Sequence, residues 1–239
     1  MAKSNRGLEQ IGEGEIGQKK DNMYPHSVKQ WNPFVGCRYK CSYCTTSFQT
    51  QLKRWGKNNC QDCYDFKPHF HPERLEVYLP QTGYMQFIFA CANGDVSFCR
   101  DEWFEQILDR IRKDKGRTFL IQSKNPAYFL KWDFPSNVIL GTTIETNRDV
   151  GFSNAPCASK RYADFLRVDH NPKMVTIEPV MDFDLDTVVE WIKTINPVMV
   201  WLGYNSKSRI LPEPNPEKFR ELYFELGKSG FTVFLKTVI

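Results

Sequence analysis

Three cysteines stand close together in the stretch "GCRYKCSYC", at Cys37, Cys41 and Cys44. Thiolates suit soft metals, chiefly zinc or an iron–sulfur cluster. Structural zinc takes four protein ligands, usually as two separated pairs, and the next cysteine in the chain is Cys60. Either a distant residue completes the site, or the three thiols hold three corners of a cubane cluster and leave one position open for another molecule. Tyr43, directly before the last cysteine, could pack beside a bound adenine.

A second group of metal-binding residue types follows in "NNCQDCYDFKPHFHPERL", which contains Cys60, Cys63, His69 and His71. Cysteine and histidine are both ligands that zinc accepts. The five-residue gap and the His-x-His spacing differ from those of a zinc finger. The sequence therefore leaves three interpretations open: a zinc site, a second cluster, or histidines that cap or buttress the loop of residues 72–74.

The composition fits a globular protein with a sizeable core, since 41% of the 239 residues are hydrophobic and 25% are charged. A net charge of +4 is too small to indicate nucleic-acid binding by itself. No apolar run approaches the roughly 18 residues that span a bilayer, and the N-terminal segment lacks the apolar region of a signal peptide. We therefore expect a cytoplasmic protein with no membrane contact, whose eight cysteines serve metal binding or catalysis rather than disulfides.

From Met85 onward, short apolar runs alternate with amphipathic segments. Runs such as "YMQFIFA", "RTFLIQS", "NVILGTTIE", "VMVWLGY" and "FTVFLKTV" predict buried strands, whereas "DEWFEQILDRIRKDK", the short "PAYFLKW" and "DLDTVVEWIKTI" predict helices. Continuous apolar strands separated by helices indicate a parallel sheet covered on both faces. With a strand near "HSVKQWNPFVG", the pattern predicts six or seven strands, fewer than a full barrel has, and hence an α/β fold of the partial (β/α)6 TIM-barrel type with mostly parallel strands.

Within this architecture we expect residues 1–24 to be a flexible tail, because they are rich in Gly, Lys, Glu and Asn. Residues 25–239 are predicted to form a single domain, in which an insertion at residues 53–82 carries the second cysteine and histidine group. Polar residues end five successive predicted strands, at the edge where α/β barrels collect their chemistry. They are Asn93, Gly94 and Asp95; Ser123 and Lys124; Glu145 and Asn147; Glu178; and Asn205.

The cysteine loop after the first predicted strand resembles that of the radical S-adenosylmethionine (SAM) superfamily. In more detail, "WNPFVGCRYKCSYC", "FKPHFHPERLE", "LIQSKNPAYF", "GTTIETN", "VTIEPVMDFDLD" and "GYNSK" resemble, in this order, the motifs of the phage Gp37/Gp68-like radical SAM family. The similarity runs from about residue 27 to the C-terminus. The loop is also similar, more distantly, to that of spore photoproduct lyase, which repairs a thymine lesion.

This resemblance implies a specific chemistry. Cys37, Cys41 and Cys44 would ligate a [4Fe–4S] cluster whose fourth iron binds the amine and carboxylate of SAM. One electron would cleave SAM to methionine and a 5′-deoxyadenosyl radical, which abstracts hydrogen from a substrate. The cofactors perform the difficult step, and the protein orients them and excludes water. A flavodoxin- or ferredoxin-type electron donor is implied as a partner, and we expect a monomer.

The resemblance also implies roles for the polar strand ends. The family's Gly-Gly-Glu, which holds the methionine amine, corresponds here to Asn93, Gly94 and Asp95, and aspartate reaches less far than glutamate. Glu145 and Asn147 could meet the ribose hydroxyls or the methionine moiety.

The remaining cofactor-binding candidates are Ser123, Lys124, Arg161 and Glu178. Lys124 or Arg161 could pair with the SAM carboxylate, and Glu178 could bind ribose or substrate. The alternative for each of these polar residues is a structural salt bridge or cap.

The substrate is open. Basic and aromatic residues surround the cysteine loop, with Tyr39, Phe48 and Trp55 among Lys and Arg. They indicate either a surface for a nucleic acid or nucleotide or a solvated rim that shields the cluster, and a small protein or a metabolite is the other substrate class left open. One alternative is a lesion-repair lyase, which needs a hydrogen donor such as Cys91 or Cys99, although buried packing is the ordinary role of a free cysteine. The other is a non-enzymatic zinc-binding nucleic-acid module, with ligands from the cysteine loop and the Cys60 and Cys63 pair.

Overall fold

The structure, a computed structural model, describes residues 24–44, 48–205 and 211–236. These residues include nine strands: β1 (Ser27–Trp31), β2 (Phe34–Val35), β3 (His69–Phe70), β4 (Phe87–Ala90), β5 (Phe119–Gln122), β6 (Val138–Thr143), β7 (Lys173–Ile177), β8 (Met199–Leu202) and β9 (Val233–Leu235). The α-helices in the described residues are α1 (Phe48–Gly56), α2 (Gln61–Tyr64), α3 (Asp101–Lys113), α4 (Ala158–Arg167), α5 (Leu185–Ile195) and α6 (Pro216–Lys228). Short 3-10 helices span Pro72–Glu76, Val96–Phe98 and Pro126–Lys131.

Seven of the strands form one sheet in the order β1-β4-β5-β6-β7-β8-β9, and every neighbouring pair is parallel. The sheet curls but stays open, with β1 and β9 at its two edges. The predicted partial barrel is therefore confirmed. Six crossover connections join the seven strands, and five of them lie between β4 and β9.

Side chains point alternately to the two faces of the sheet and form a hydrophobic cluster on each face. On β4, Phe87 and Phe89 join the cluster on the concave face, whereas Ile88 and Ala90 pack under the helices. This alternation is the period of two that a pleated strand imposes. Tyr24 fills the concave face and is fully buried, with its hydroxyl 2.8 Å from Gln122 Oε1. The predicted flexible tail otherwise falls on residues 1–23, which lie outside the described residues.

Helix α5 shows how the sequence pattern places the covering layer. Val188, Val189, Ile192 and Ile195 recur at helical spacing, and all four are buried. The segment "PAYFLKW", predicted as a short helix, is the 3-10 helix Pro126–Lys131, which begins at a proline. Among the described residues, none of the helices has both the length and the apolar character that crossing a membrane requires.

The predicted insertion at residues 53–82 lies in the segment between β1 and β4, which contains the helices α1 and α2 and the short strands β2 and β3. Helix α1 begins at Phe48, and β3 pairs with β2 in a small antiparallel sheet. This pairing places Val35 opposite His69, so this segment is fixed to the chain that leads directly into Cys37. Strands of two residues carry too little alternation to be recognised from sequence.

Candidate functional site

A cavity of about 300 Å³ lies at the carboxyl ends of the parallel strands. Parallel strands end at the same edge of a sheet, and loops from different strands therefore converge there. The cavity is lined by Cys37, Tyr39, Cys41, Tyr43, Cys44, Phe48, Phe66, Phe89, Ala92, Gly94, Asp95, Gln122, Ser123, Lys124, Thr143, Glu178, Pro179, Tyr204, Asn205 and Lys236. Nine of the predicted site residues are among them.

All three cysteines of the "GCRYKCSYC" loop face this cavity. The loop turns tightly, since the backbone NH of Cys44 donates to the carbonyl of Cys41 at 3.0 Å. Burial raises the pKa of Cys37 and of Cys44 above the usual value for a thiol, and the negative charge of Asp95 adds to the effect on Cys37. Positive charge is therefore what would stabilise the thiolates here.

The cysteine loop is fixed to the strand end that carries Asp95. Gly36 and Gly94 form a parallel β-bridge. The NH of Gly36 donates to the carbonyl of Asn93 at 3.0 Å, and the NH of Asp95 donates to the carbonyl of Gly36 at 3.1 Å. A Cβ on Gly94 would lie 2.7 Å from the Gly36 carbonyl oxygen. Glycine at position 94 is therefore needed for this close approach.

Asp95 is buried and braces the site through both carboxylate oxygens. Its Oδ1 accepts from the hydroxyls of Ser97 at 2.7 Å and Ser123 at 2.6 Å, and its Oδ2 accepts from the NH of Lys124 at 2.8 Å. The carbonyl of Asn93, as described, is engaged with Gly36. The two groups predicted to bind the methionine amine, the Asn93 carbonyl and the Asp95 carboxylate, thus both accept hydrogen bonds from within the chain.

Glu145 forms a buried charged network beside the cavity. Arg161 Nη1 donates to its Oε2 at 2.6 Å, while Lys124 and the Tyr43 hydroxyl donate to its Oε1. Burial alone would raise the pKa of Glu145, but the charges of Arg161 and Lys124 outweigh it and lower this pKa from 4.5 to about 2. The network therefore fixes Tyr43 at the cavity wall, and Arg161 itself lies outside the lining.

A second charged pair lines the cavity. Glu178 lies after β7 and Lys236 after β9, and they form a salt bridge. Both residues line the cavity together with Asn205. Sequence reasoning missed Lys236 and Gln122, although each stands at the carboxyl end of a predicted strand, which is the signal that identified the other polar residues.

Other predicted residues lie elsewhere. The Asn147 amide donates to Asp184 at 3.0 Å, in an exposed cluster that includes Arg148. Cys91 and Cys99 are buried in the core between sheet and helices and are not in the cavity lining. Their burial follows from the ordinary apolar behaviour of free cysteine. The hydrogen-donor role of these two thiols stays a prediction.

The second group of predicted metal ligands comes together in space. The ligand atoms of Cys60, Cys63, His69 and His71 all lie within 4.8 Å of one another. Among the described residues this is the grouping compact enough to share one ion, and it includes no cysteine of the "GCRYKCSYC" loop. A zinc module that draws ligands from both segments is thus not the arrangement found.

The comparisons with known proteins agree with the fold. A radical SAM methyltransferase from Sphaerobacter thermophilus superposes with a TM-score of 0.53 over 90% of this chain and 67% of its own, at 13% sequence identity. At that identity the likeness establishes a radical SAM fold and nothing about activity. No curated protein matches the sequence. The family model described as "Protein of unknown function (DUF5131)" matches residues 23–203, and the chain belongs to that family.

Proposed function

We propose that this protein is a radical SAM enzyme of the phage Gp37/Gp68-like type. The observation that carries the proposal is the placement of three cysteine thiols, at positions 37, 41 and 44, on the wall of one cavity at the carboxyl edge of a radical SAM fold. Three thiolates are the donor set of a cluster with one open iron. The donors present therefore fit a [4Fe–4S] cluster.

The roles of the residues follow from their positions. With a [4Fe–4S] cluster and SAM bound, the site would supply a 5′-deoxyadenosyl radical for hydrogen abstraction. Tyr43 and Phe66 offer aromatic faces for an adenine ring. Glu178 and Lys236 present a carboxylate and an ammonium that could exchange their mutual salt bridge for ribose hydroxyls and the SAM carboxylate. Asp95 positions the loop of Ser123 and Lys124, and because it also lines the cavity it could accept a hydrogen bond from the SAM amine.

A nucleic acid or nucleotide is the substrate class that the surface favours. Arg38 and Lys40 in the cysteine loop, and Arg54 and Lys57 at α1, are exposed, and none of them forms a salt bridge within the described part of the chain. Exposed cations attract phosphates, and Arg38 and Lys40 alternate in sequence with the cavity-lining Cys37, Tyr39 and Cys41. Tyr39 and Phe48 line the cavity beside them and could stack on a base.

Iron and sulfide analysis tests the proposal independently of any substrate. The chain would be reconstituted anaerobically with iron and sulfide, alongside the variant in which Cys37, Cys41 and Cys44 are replaced by Ala. About four irons and four sulfides per chain, lost in the variant, would support the proposal. A wild-type protein that holds no more iron and sulfide than the variant would refute it.

A further inference from the structure

The four residues Cys60, Cys63, His69 and His71 have the geometry of a single metal site. Cys60 Sγ lies 3.4 Å from His69 Nε2, and Cys63 Sγ lies 3.2 Å from His69 Nε2 and 3.3 Å from His71 Nε2. At ordinary Zn–S and Zn–N bond lengths, a tetrahedral zinc ion separates its ligand atoms by roughly 3.3–3.8 Å. The three sulfur–nitrogen distances are thus close to the spacing that one ion imposes, whereas the two histidine Nε2 atoms, 2.8 Å apart, would move slightly apart around an ion.

The histidine hydrogen bonds aim nitrogen lone pairs at the centre of the group. His69 Nδ1 lies 2.7 Å from the carbonyl oxygen of Lys67, so in the neutral imidazole this nitrogen carries the proton and Nε2 has the free lone pair. His71 Nδ1 lies 2.8 Å from Glu73 Oε1 in the same way. The two Nε2 atoms then face each other at 2.8 Å. A cation bound between the two Nε2 atoms would remove the repulsion between their lone pairs. A carboxylate at the other ring nitrogen, as at His71, is a common partner of metal-bound histidine.

The geometry also distinguishes one ion from a second iron–sulfur cluster. When histidines ligate a two-iron cluster, they bind one iron while the cysteines bind the other. Here Cys63 Sγ is within 3.3 Å of both histidine nitrogens, so cysteines and histidines share one centre. Two thiolates and two imidazoles in a tetrahedron are typical of zinc.

The site holds together the segment that forms one side of the cavity. Val35 pairs with His69 on the small sheet, and the NH of His71 donates to the Pro33 carbonyl at 2.6 Å. On the other side of the ligands, Phe66 contacts Phe48 with ring centroids 6.0 Å apart. Both of these rings line the cavity.

We infer that Cys60, Cys63, His69 and His71 bind one structural Zn²⁺, and that this ion holds Phe48 and Phe66 in place as the aromatic wall of the cavity. The site is separate from the three cysteines at positions 37, 41 and 44, so it stands whether or not those cysteines carry a cluster. Cys63 is buried, while Cys60 and His69 are partly exposed, which gives the ion a path from solvent.

Metal analysis of the full chain tests the zinc site. We expect about one zinc per chain in the wild type and in the triple Cys37, Cys41 and Cys44 to Ala variant, and none in Cys63→Ser or His71→Ala. Cys157→Ser, at an exposed cysteine outside both groups, is the matched control and should keep its zinc. Substitution with Co²⁺ should give the intense visible bands of a tetrahedral thiolate site. Glu73→Gln should weaken zinc affinity about 10-fold.

Hydrogen exchange tests the positioning role. Removal of zinc by a chelator should increase exchange at residues 48–71 and leave strands β5 and β6 protected, because those strands lie in the core of the sheet. A wild-type protein without zinc that also fails to bind Co²⁺ would overturn the whole inference. Zinc that can be removed with no change in exchange at residues 48–71 would overturn the positioning role.

Discussion

Gly36 and Gly94 lie against each other as a parallel β-bridge, with the NH of Asp95 donating to the Gly36 carbonyl at 3.1 Å. The residue before Cys37 is thereby joined to the turn that follows β4. On its other side, Gly36 lies under the backbone of Lys67, and a Cβ there would be 2.3 Å from the Lys67 carbonyl carbon. The cysteine loop is thus held between the barrel edge and the segment that carries the second metal group.

This packing predicts that Gly94→Ala is destabilising. The new Cβ would lie 2.7 Å from the oxygen and 2.9 Å from the nitrogen of Gly36, and both are backbone atoms that cannot rotate away. We expect the free energy of unfolding to fall by about 1–3 kcal/mol, measured by urea denaturation, with reduced iron retention after reconstitution. Gly227→Ala in α6 is the control, because nothing lies within 4 Å of its Cβ. Its stability should be unchanged or higher by up to about 1 kcal/mol. Equal losses in the two variants would contradict the role of the bridge.

Replacement of Glu145 by Gln should leave Arg161 and Lys124 without their buried counter-charge. We expect a loss of about 3–5 kcal/mol in the free energy of unfolding, because removal of one partner of a buried ion pair leaves the other charge buried without a counter-charge. Glu105→Gln, whose partner Arg112 is at the surface, should cost less than about 1 kcal/mol. Similar losses in the two variants would show that the Glu145 network is not buried in solution.

The same network predicts a dependence of stability on acid. Because the pKa of Glu145 falls from 4.5 to about 2 on folding, its contribution is complete above pH 4.5 and is lost as the pH falls towards 2. At 1.36 kcal/mol per pKa unit, the contribution is on the order of 3 kcal/mol. The difference in unfolding free energy between wild type and Glu145→Gln should therefore shrink as the pH is lowered through this range. A difference that stays constant would contradict the assignment.

Asp95→Asn tests the bracing role of that carboxylate. The backbone NH of Ser97 donates to Oδ1 and that of Lys124 donates to Oδ2, and an amide nitrogen can accept from neither, so one backbone NH loses its partner whichever way the amide is oriented. We expect a loss of about 1–3 kcal/mol in thermal or urea unfolding. Asp101→Asn, an exposed position paired with Lys131, is the control and should change stability by less than about 1 kcal/mol. Equal stability of wild type and Asp95→Asn would remove Asp95 from the bracing network.

The sequence was sufficient for the barrel and for much of the cavity lining. Buried parallel strands are continuous apolar runs, and the polar residues that follow them, such as Asp95 and Glu178, necessarily gather at one edge. Asn147 shows the limit of this rule, because it lies four residues beyond the end of β6 and its side chain turns towards Asp184. The direction of a loop side chain depends on tertiary partners that no local pattern encodes.

The segment from α1 to the 3-10 helix at Pro72–Glu76 was the least predictable part. Its fold depends on close backbone contacts, such as that of Gly36 with Lys67, and on ligands brought together across turns. The residue types of the second metal group were visible in the sequence. Their convergence on one centre could not be predicted from the sequence, because their spacing follows no common zinc-finger pattern.

The most direct test of the proposed radical SAM activity is the formation of 5′-deoxyadenosine. Anaerobically reconstituted protein would be mixed with dithionite and SAM, and the product measured by mass spectrometry for wild type and Cys41→Ala. Wild type should form 5′-deoxyadenosine, and Cys41→Ala, which removes one of the three thiols facing the cavity, should not. Cluster-loaded wild type that forms no more 5′-deoxyadenosine than Cys41→Ala would contradict the account.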